Sequence, residues 1–244
     1  MPLESVSLDA IEINQEPQFR ILPRQLNDVL GRILLPRQIS VLHCTERFPM
    51  TVIAHQIAVS AAKAGMRAFY IDAGGSNYSA ALTRALIANE KNEDEIIANI
   101  SIGLVLGLDD IEPLLESLSN QSNVGVIVID SLTGLLNLSA APGTKGRQRK
   151  LFKTLETLRE LVNKTESHLL LTDHSSIDWH TGIAKPIGGN VIAHGVDSVV
   201  RVTSLDAEKD SVRVQVERCP VTPAPGGVVI KVSHQRGVRS FKSA

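Results

Sequence analysis

The sequence predicts an α/β fold: a mainly parallel sheet flanked by helices, with a C-terminal antiparallel extension. Three observations carry that expectation. From Ile39 to Thr172, short β-branched apolar runs alternate with segments of helical apolar spacing, the order that packs parallel strands between helices. Val124–Ile129 is apolar at successive positions, broken only by Gly125, as a strand covered on both faces must be. Beyond Val191 the character changes to short alternating runs, Ser198–Ser204, Ser211–Arg218 and Gly227–Ser233, split by turn residues.

The elements follow in order. Ile39–Leu42 reads as a strand and Thr51–Ala64 as a helix, with Val52, Ile53, Ile57, Val59 and Ala62 near helical spacing. Arg67–Asp72 is a second strand, closing on Ala73-Gly74-Gly75-Ser76, and Tyr78–Asn89 is helical. Asn99–Val105 is a third strand, and Ile111–Leu118 a helix that admits Pro113 only in its first turn. The strand Val124–Ile129, the helix Leu151–Val162 and the strand Leu169–Thr172 complete the parallel set. Ser139–Gly146 and Ser175–Gly189 fit neither pattern. Both follow a strand of that set, where open α/β sheets bind ligands, and unstructured stretches of that length are functional or mobile.

The chain has 244 residues, 43% hydrophobic and 21% charged, enough apolar material for a core and unlike a disordered segment. Its longest apolar runs fall far short of the ~20 residues of a membrane span. Residues 1–18 hold Glu4, Asp9, Glu12 and Glu16 with no Lys or Arg, unlike a signal peptide, so a cytoplasmic location is expected. Cys44 and Cys219 lack metal-ligand spacing and read as reduced thiols. The net charge of −1 advertises no global basic field, but charge is unevenly placed. Glu90–Asn120 carries eight acids against Lys91, and Lys145–Lys164 seven bases against Glu156 and Glu160. The last fourteen residues carry Lys231, Arg236, Arg239 and Lys242 with no acid. The expected organisation is an acidic segment at 1–20, one core domain at 21–235 and a basic tail at 236–244.

The first strand runs into Cys44-Thr45-Glu46-Arg47-Phe48-Pro49-Met50-Thr51 and then a helix. That is the context and spacing of a phosphate-binding loop, G-x-x-x-x-G-K-[ST]. Cys44 and Pro49 stand at the glycine positions and Met50 at the lysine; only Thr51 is kept. Such a loop aims successive backbone N–H groups at phosphates in conformations that glycine tolerates. Pro49 removes one donor, Met50 brings no cation, and Glu46 adds negative charge. Two lost charge-assisted contacts, at roughly 1.5–3 kcal/mol each, predict ATP affinity reduced ~100-fold or more. Asp130 ends its buried strand where related domains hold Mg²⁺. Taken singly, these patterns also fit an ordinary strand–turn–helix and a capped strand end.

Lys185-Pro186-Ile187-Gly188-Gly189-Asn190-Val191-Ile192-Ala193-His194 closely resembles the K-P-x-G-G-[NH]-x-x-A-H segment of archaeal and eukaryotic RecA-family recombinases, RadA and its relatives. From that anchor the resemblance covers about residues 21–235. Gln25–Gly31 is similar to the short helix before the phosphate loop, Ile71-Asp72-Ala73-Gly74-Gly75 falls on D-T-E-G, and Leu169–His174 matches the strand ending T-N-Q. The resemblance implies a RecA-like P-loop NTPase core, with an archaeal leaning and without the family's N-terminal helical domain. Its departures converge. The D-T-E-G carboxylate falls on Gly74, the adenine-packing arginine near Ala81 with Arg84 one turn away, and the sensor glutamine on His174. The degenerate nucleotide site is therefore Cys44, Arg47, Pro49, Met50, Thr51, Gly74, Asp130 and His174. It is expected to hold no metal, to bind ATP and Mg²⁺ weakly or not at all, and to be a pseudo-ATPase. Arg47 is the residue that would replace the lysine if the site were active.

In the resembled family, the loops matching Leu138–Arg147 and Ser175–Gly189 hold single-stranded DNA. Lys145, Arg147 and Arg149, with Lys150 and Lys153, form a candidate phosphate-contacting strip, equally readable as a solvated helix face. Trp179 suits base stacking, worth ~1–3 kcal/mol, a protein contact, or packing under the sheet. Lys185, Gly188, Gly189 and Asn190 complete the candidate DNA-binding set, the glycines allowing close backbone approach and Asn190 capping the next helix. Phe19-Arg20-Ile21-Leu22 occupies the place of the family's F-x-x-A assembly segment, with Leu22 for the alanine, which disfavours a filament. The resemblance implies an accessory factor in homologous recombination and DNA repair, nucleoid-associated. Its expected partners are single-stranded DNA, a RadA-type recombinase and other mediator proteins. A weak DNA-stimulated ATPase and a RecA-like interaction module without DNA are the alternatives.

Overall fold

The computed structural model describes residues 16–73, 78–88, 90–105, 110–137, 145–177, 182, 184–206 and 210–241. Along the chain lie α1 (Arg24–Leu30), β1 (Ile39–Cys44), α2 (Arg47–Lys63), β2 (Arg67–Asp72), α3 (Tyr78–Ile87) and α4 (Glu93–Ala98). Then come β3 (Ile100–Leu104), α5 (Ile111–Leu118), β4 (Val124–Asp130), α6 (Leu132–Asn137) and α7 (Lys145–Thr165). The chain ends with β5 (His168–Ile177), β6 (Ala184–Pro186), α8 (Gly189–Gly195), β7 (Ser198–Ser204), β8 (Ser211–Arg218), β9 (Gly227–Ser233) and β10 (Gly237–Ser240). The sheet order is β10-β9-β8-β7-β1-β5-β4-β2-β3, with β6 pairing off this path to β5. Pairing is parallel from β7 through β1 to β3 and antiparallel from β7 to β10.

The alternation of each central strand divides the core. Leu42, Ala68, Tyr70, Val126, Val128 and Leu170 pack with α1 and α2 on one face. Val41, Phe69, Ile71, Ile127, Ile129 and Leu171 pack with α5, α7 and α8 on the other. This is the period of two that sends successive side chains to opposite faces. Helix α2 is buried from Pro49 to Ala62, apolar all round as a helix enclosed by its neighbours must be.

Arg159 of α7 clasps the second layer. It donates to Asp197 at 2.6 Å, to the Gly195 carbonyl at 3.2 Å and to the Arg37 carbonyl at 3.3 Å, while Asp197 also accepts the Ile39 N–H at 2.7 Å. Helices α7 and α8 approach so closely that a Cβ on Gly195 would lie 2.7 Å from Leu155 Cδ1.

Several elements differ from the sequence reading. Helix α2 begins four residues before Thr51, because Pro49 needs no helical N–H partner in a first turn. Within Ser175–Gly189, β5 runs to Ile177 and pairs antiparallel with β6, Ser175 opposite Pro186 and Ile177 opposite Ala184. Short α4, α6 and β10 were not anticipated; β10 lies within the residues read as a basic tail. Phe19 and Ile21 are buried in this chain's own core, while Leu22 is exposed. The Ile21 N–H bonds to Asn27 Oδ1 at 2.9 Å, so the segment matched to F-x-x-A folds back onto α1.

His168 opens β5 in full burial, and its Nδ1–H donates to the Leu35 carbonyl at 2.8 Å. Burial lowers its pKa to about 4. A folded-state pKa below the unfolded value means that the unfolded chain binds the proton first as pH falls. The stabilisation from neutral His168 is therefore complete above about pH 6.5 and is lost between there and about pH 4. Unfolding free energies from urea titrations at pH 7 and pH 5 are expected to differ by about 2 kcal/mol from this residue. His168→Asn, which keeps a donor without a titrating ring, is expected to flatten that dependence; an unchanged slope would refute the assignment.

Candidate functional site

Cys44, Asp72, Asp130 and His174 come together at or near the C-terminal ends of the parallel strands β1, β2, β4 and β5. Only Thr45 and Glu46 separate β1 from α2. Residues Arg47–Met50, which the motif places in a phosphate cradle, form the first turn of the helix. Each neighbour holds this arrangement closed. The Ser204 hydroxyl donates to Glu46 Oε2 at 2.9 Å, and the Phe48 ring stacks on His234 with centroids 4.0 Å apart. Met50 is 0% exposed within the core, and burial pushes the Cys44 thiol up, away from the reactive thiolate.

Beneath that turn, Asp130 accepts three hydroxyl hydrogen bonds. Thr51 Oγ1 and Tyr70 Oη each donate to Oδ2 at 2.7 Å, and Thr172 Oγ1 donates to Oδ1 at 2.6 Å. Burial first, then Asp130, raises the Tyr70 pKa well above its ordinary value, so the phenol keeps its proton and remains a donor. His55, one turn along α2, donates Nδ1–H to the Thr51 carbonyl at 2.8 Å and lies over the Tyr70 ring, centroids 3.8 Å apart. Its pKa is lowered, chiefly by burial, so it is a neutral spacer. Asp72 accepts Ser79 Oγ–H at 2.6 Å and lies 3.5 Å from the Arg47 guanidinium. His174 is half-buried; burial and then Arg47 lower its pKa, which disfavours a second cation beside Arg47. These residues fit a nucleoside triphosphate with its divalent cation poorly: Met50 puts no cation at the lysine position, Pro49 removes one N–H from the first turn of α2, and Asp130 already accepts three hydroxyl hydrogen bonds. Among the described residues, no group of three His, Cys, Asp or Glu is placed to hold a metal, and no helix is long and apolar enough to cross a membrane.

A profile of the Rad51 family matches residues 23–238. The chain belongs to the Rad51 family. The DNA repair protein rhp51 of Schizosaccharomyces pombe is 25% identical over 138 residues, covering 52% of this chain and 38% of that protein. The DNA repair and recombination protein RadB of Halobacterium salinarum is 24% identical over 182 residues, covering 72% of this chain and 77% of that protein. The crystal structure of the RadB recombinase superposes with a TM-score of 0.72 at 16% identity, over 90% of this chain and 97% of that one. The RecA-like core expected from the sequence is the fold of this Rad51-family chain.

The candidate DNA-binding residues divide. Lys145, Arg147 and Arg149 all lie in α7, and Gly189 and Asn190 open α8. Lys185 projects from β6, and Gly188 donates its N–H to Asp173 Oδ2 at 3.1 Å. Gly189 has φ +58°, a left-handed conformation that glycine adopts without strain. Gly74 and Trp179 lie outside the described residues. The root of the β5–β6 hairpin is anchored by His43 of β1, fully buried. Its Nδ1 lies 2.8 Å from Ser175 Oγ and its Nε2 2.8 Å from Glu217 Oε2, while Glu217 Oε1 pairs with Arg201 at 3.2 Å. Glu217 only accepts, so the proton sits on Nε2 and Ser175 donates to Nδ1. Burial lowers the His43 pKa against the raising effect of Glu217.

Sequence reasoning missed Tyr70 and Thr172 as partners of Asp130. The signal available was the strand period of two, which puts Tyr70, Asp130 and Thr172 on the same sheet face as Val128 and Leu170. It also missed Phe152, an exposed aromatic among the bases of α7. Tyr70→Phe removes one charge-assisted donor from Asp130 and is expected to lower stability by about 1.5–3 kcal/mol in urea unfolding. A loss within error of zero would show that Asp130 does not depend on that bond.

Proposed function

We propose that this chain is a non-catalytic accessory factor in homologous recombination and DNA repair. It binds single-stranded DNA, a RadA-type recombinase, or both, and turns over no appreciable ATP. The observation that carries the reading is the Asp130 cluster beneath the helical turn Arg47–Met50. A triphosphate at the start of α2 would meet no lysine, since Met50 is apolar and fully buried in the core, and one N–H fewer, at Pro49. Both forms of catalysis open to a P-loop domain, positioning and charge stabilisation, lack their residues here. Membership of the Rad51 family, and relatives named for DNA repair and recombination, support the biological role. Exposed Arg149, Lys150 and Lys153 on α7 and exposed Lys185 on the hairpin support contact with a nucleic-acid backbone.

Purified protein with millimolar ATP and single-stranded DNA is expected to release no phosphate above background. Met50→Lys is expected not to create turnover and to lower stability, since it buries an unpaired charge. ATP turnover that Arg47→Ala abolishes would overturn the reading in favour of a weak ATPase. Oligonucleotide affinity is expected to fall with rising salt, and Arg149→Ala with Lys153→Ala to reduce that dependence. Capture of a RadA-type recombinase without any salt-sensitive oligonucleotide binding would instead favour an interaction module.

A further inference from the structure

We infer that Phe152 is a base-stacking platform for single-stranded nucleic acid on the outer face of α7. This rests on the DNA-binding reading above and adds the residue that would meet the bases. Leu151, Leu155, Leu158, Leu161 and Val162 are buried and define the inner face of α7. Phe152, about 100° around the helix from Leu151, is 56% exposed, the larger exposure of the two outward phenylalanines among the described residues. Arg149, one turn before it, and Lys153, beside it, are exposed as well, and residues three or four apart are neighbours on a helix surface. Between Lys145 and Leu155 the sequence contains no acid; Glu156 and Glu160 close the strip at its far end.

A single exposed apolar residue needs no special cause, so the surroundings decide. Mainly basic surroundings, with Glu156 the one acid a turn further on, are poor material for the centre of a protein interface, where charged residues other than arginine are depleted. They are what a single-strand site combines: cations that track phosphates and an aromatic face on which any base can stack.

The test compares a labelled oligothymidylate with an abasic strand of the same length at one salt concentration. The wild type is expected to prefer the strand that carries bases. Phe152→Ala is expected to weaken oligothymidylate binding by ~5- to 150-fold, leave abasic binding and the salt slope unchanged, and keep the urea midpoint. Phe152→Trp is expected to retain binding and Phe152→Leu, apolar without a π face, to lose it. Equal affinity of wild type and Phe152→Ala for oligothymidylate would overturn the inference alone. If that variant instead lost a RadA-type recombinase, Phe152 would be a protein contact. Absence of wild-type binding to either strand would overturn the DNA reading itself, and this inference with it.

Discussion

Two carboxylates, Asp72 and Asp130, lie opposite one another on adjacent parallel strands with no exposure to solvent, and the rest of the site is arranged around supplying them with donors. A buried carboxylate without partners costs several kcal/mol. In a working P-loop domain, a lysine and a divalent cation bring positive charge to this end of the sheet. Met50 leaves the lysine position apolar. The donors come instead from Thr51, Tyr70 and Thr172 for Asp130, and from Ser79 and Arg47 for Asp72. Because these groups belong to α2, β2, α3 and β5, satisfying the two acids also fixes two helices against the sheet.

That requirement explains why the strand-to-helix turn closes. Thr51 reaches Asp130 directly, which draws the start of α2 onto the sheet. Pro49 and Met50, with no glycine on either side, are compatible with helix and not with an open nest of N–H groups. Met50 then fills the space beneath as an unbranched apolar side chain suited to irregular gaps. Phe48 and Glu46 are held by His234 and Ser204, residues of the C-terminal antiparallel strands and their turn. The extension is thus part of the wall around the β1–α2 turn.

How much of this was legible varied with the kind of signal. The buried strands were readable because Val124–Ile129, broken only by Gly125, and Leu169–Leu171 are runs of apolar residues, although β5 continues five residues beyond Thr172. The departures from the phosphate-loop motif at Cys44, Pro49 and Met50 were readable, since those residues lack the motif's donors and cation. The conformation they adopt was not. A helical first turn at Arg47–Met50 depends on contacts with His234 and Ser204, more than 150 residues away. The hairpin at Ser175–Pro186 was equally hidden, because strands of three residues carry almost no periodicity. Tyr70 and Thr172 looked like β-forming residues, and only sheet order places both beside Asp130.

The same closure bears on how the hairpin is positioned. His174, on β5, is held towards its neutral form by burial and by Arg47. One residue further, Ser175 is bonded to His43, and His43 to Glu217, itself paired with Arg201. Those four residues come from β5, β1, β8 and β7, so the hairpin root is referenced to the sheet rather than to a ligand. A polar network buried in this way is satisfied in one arrangement and costly in others. The root of the hairpin is therefore oriented by side chains of three sheet strands besides its own, a constraint built into the folded chain.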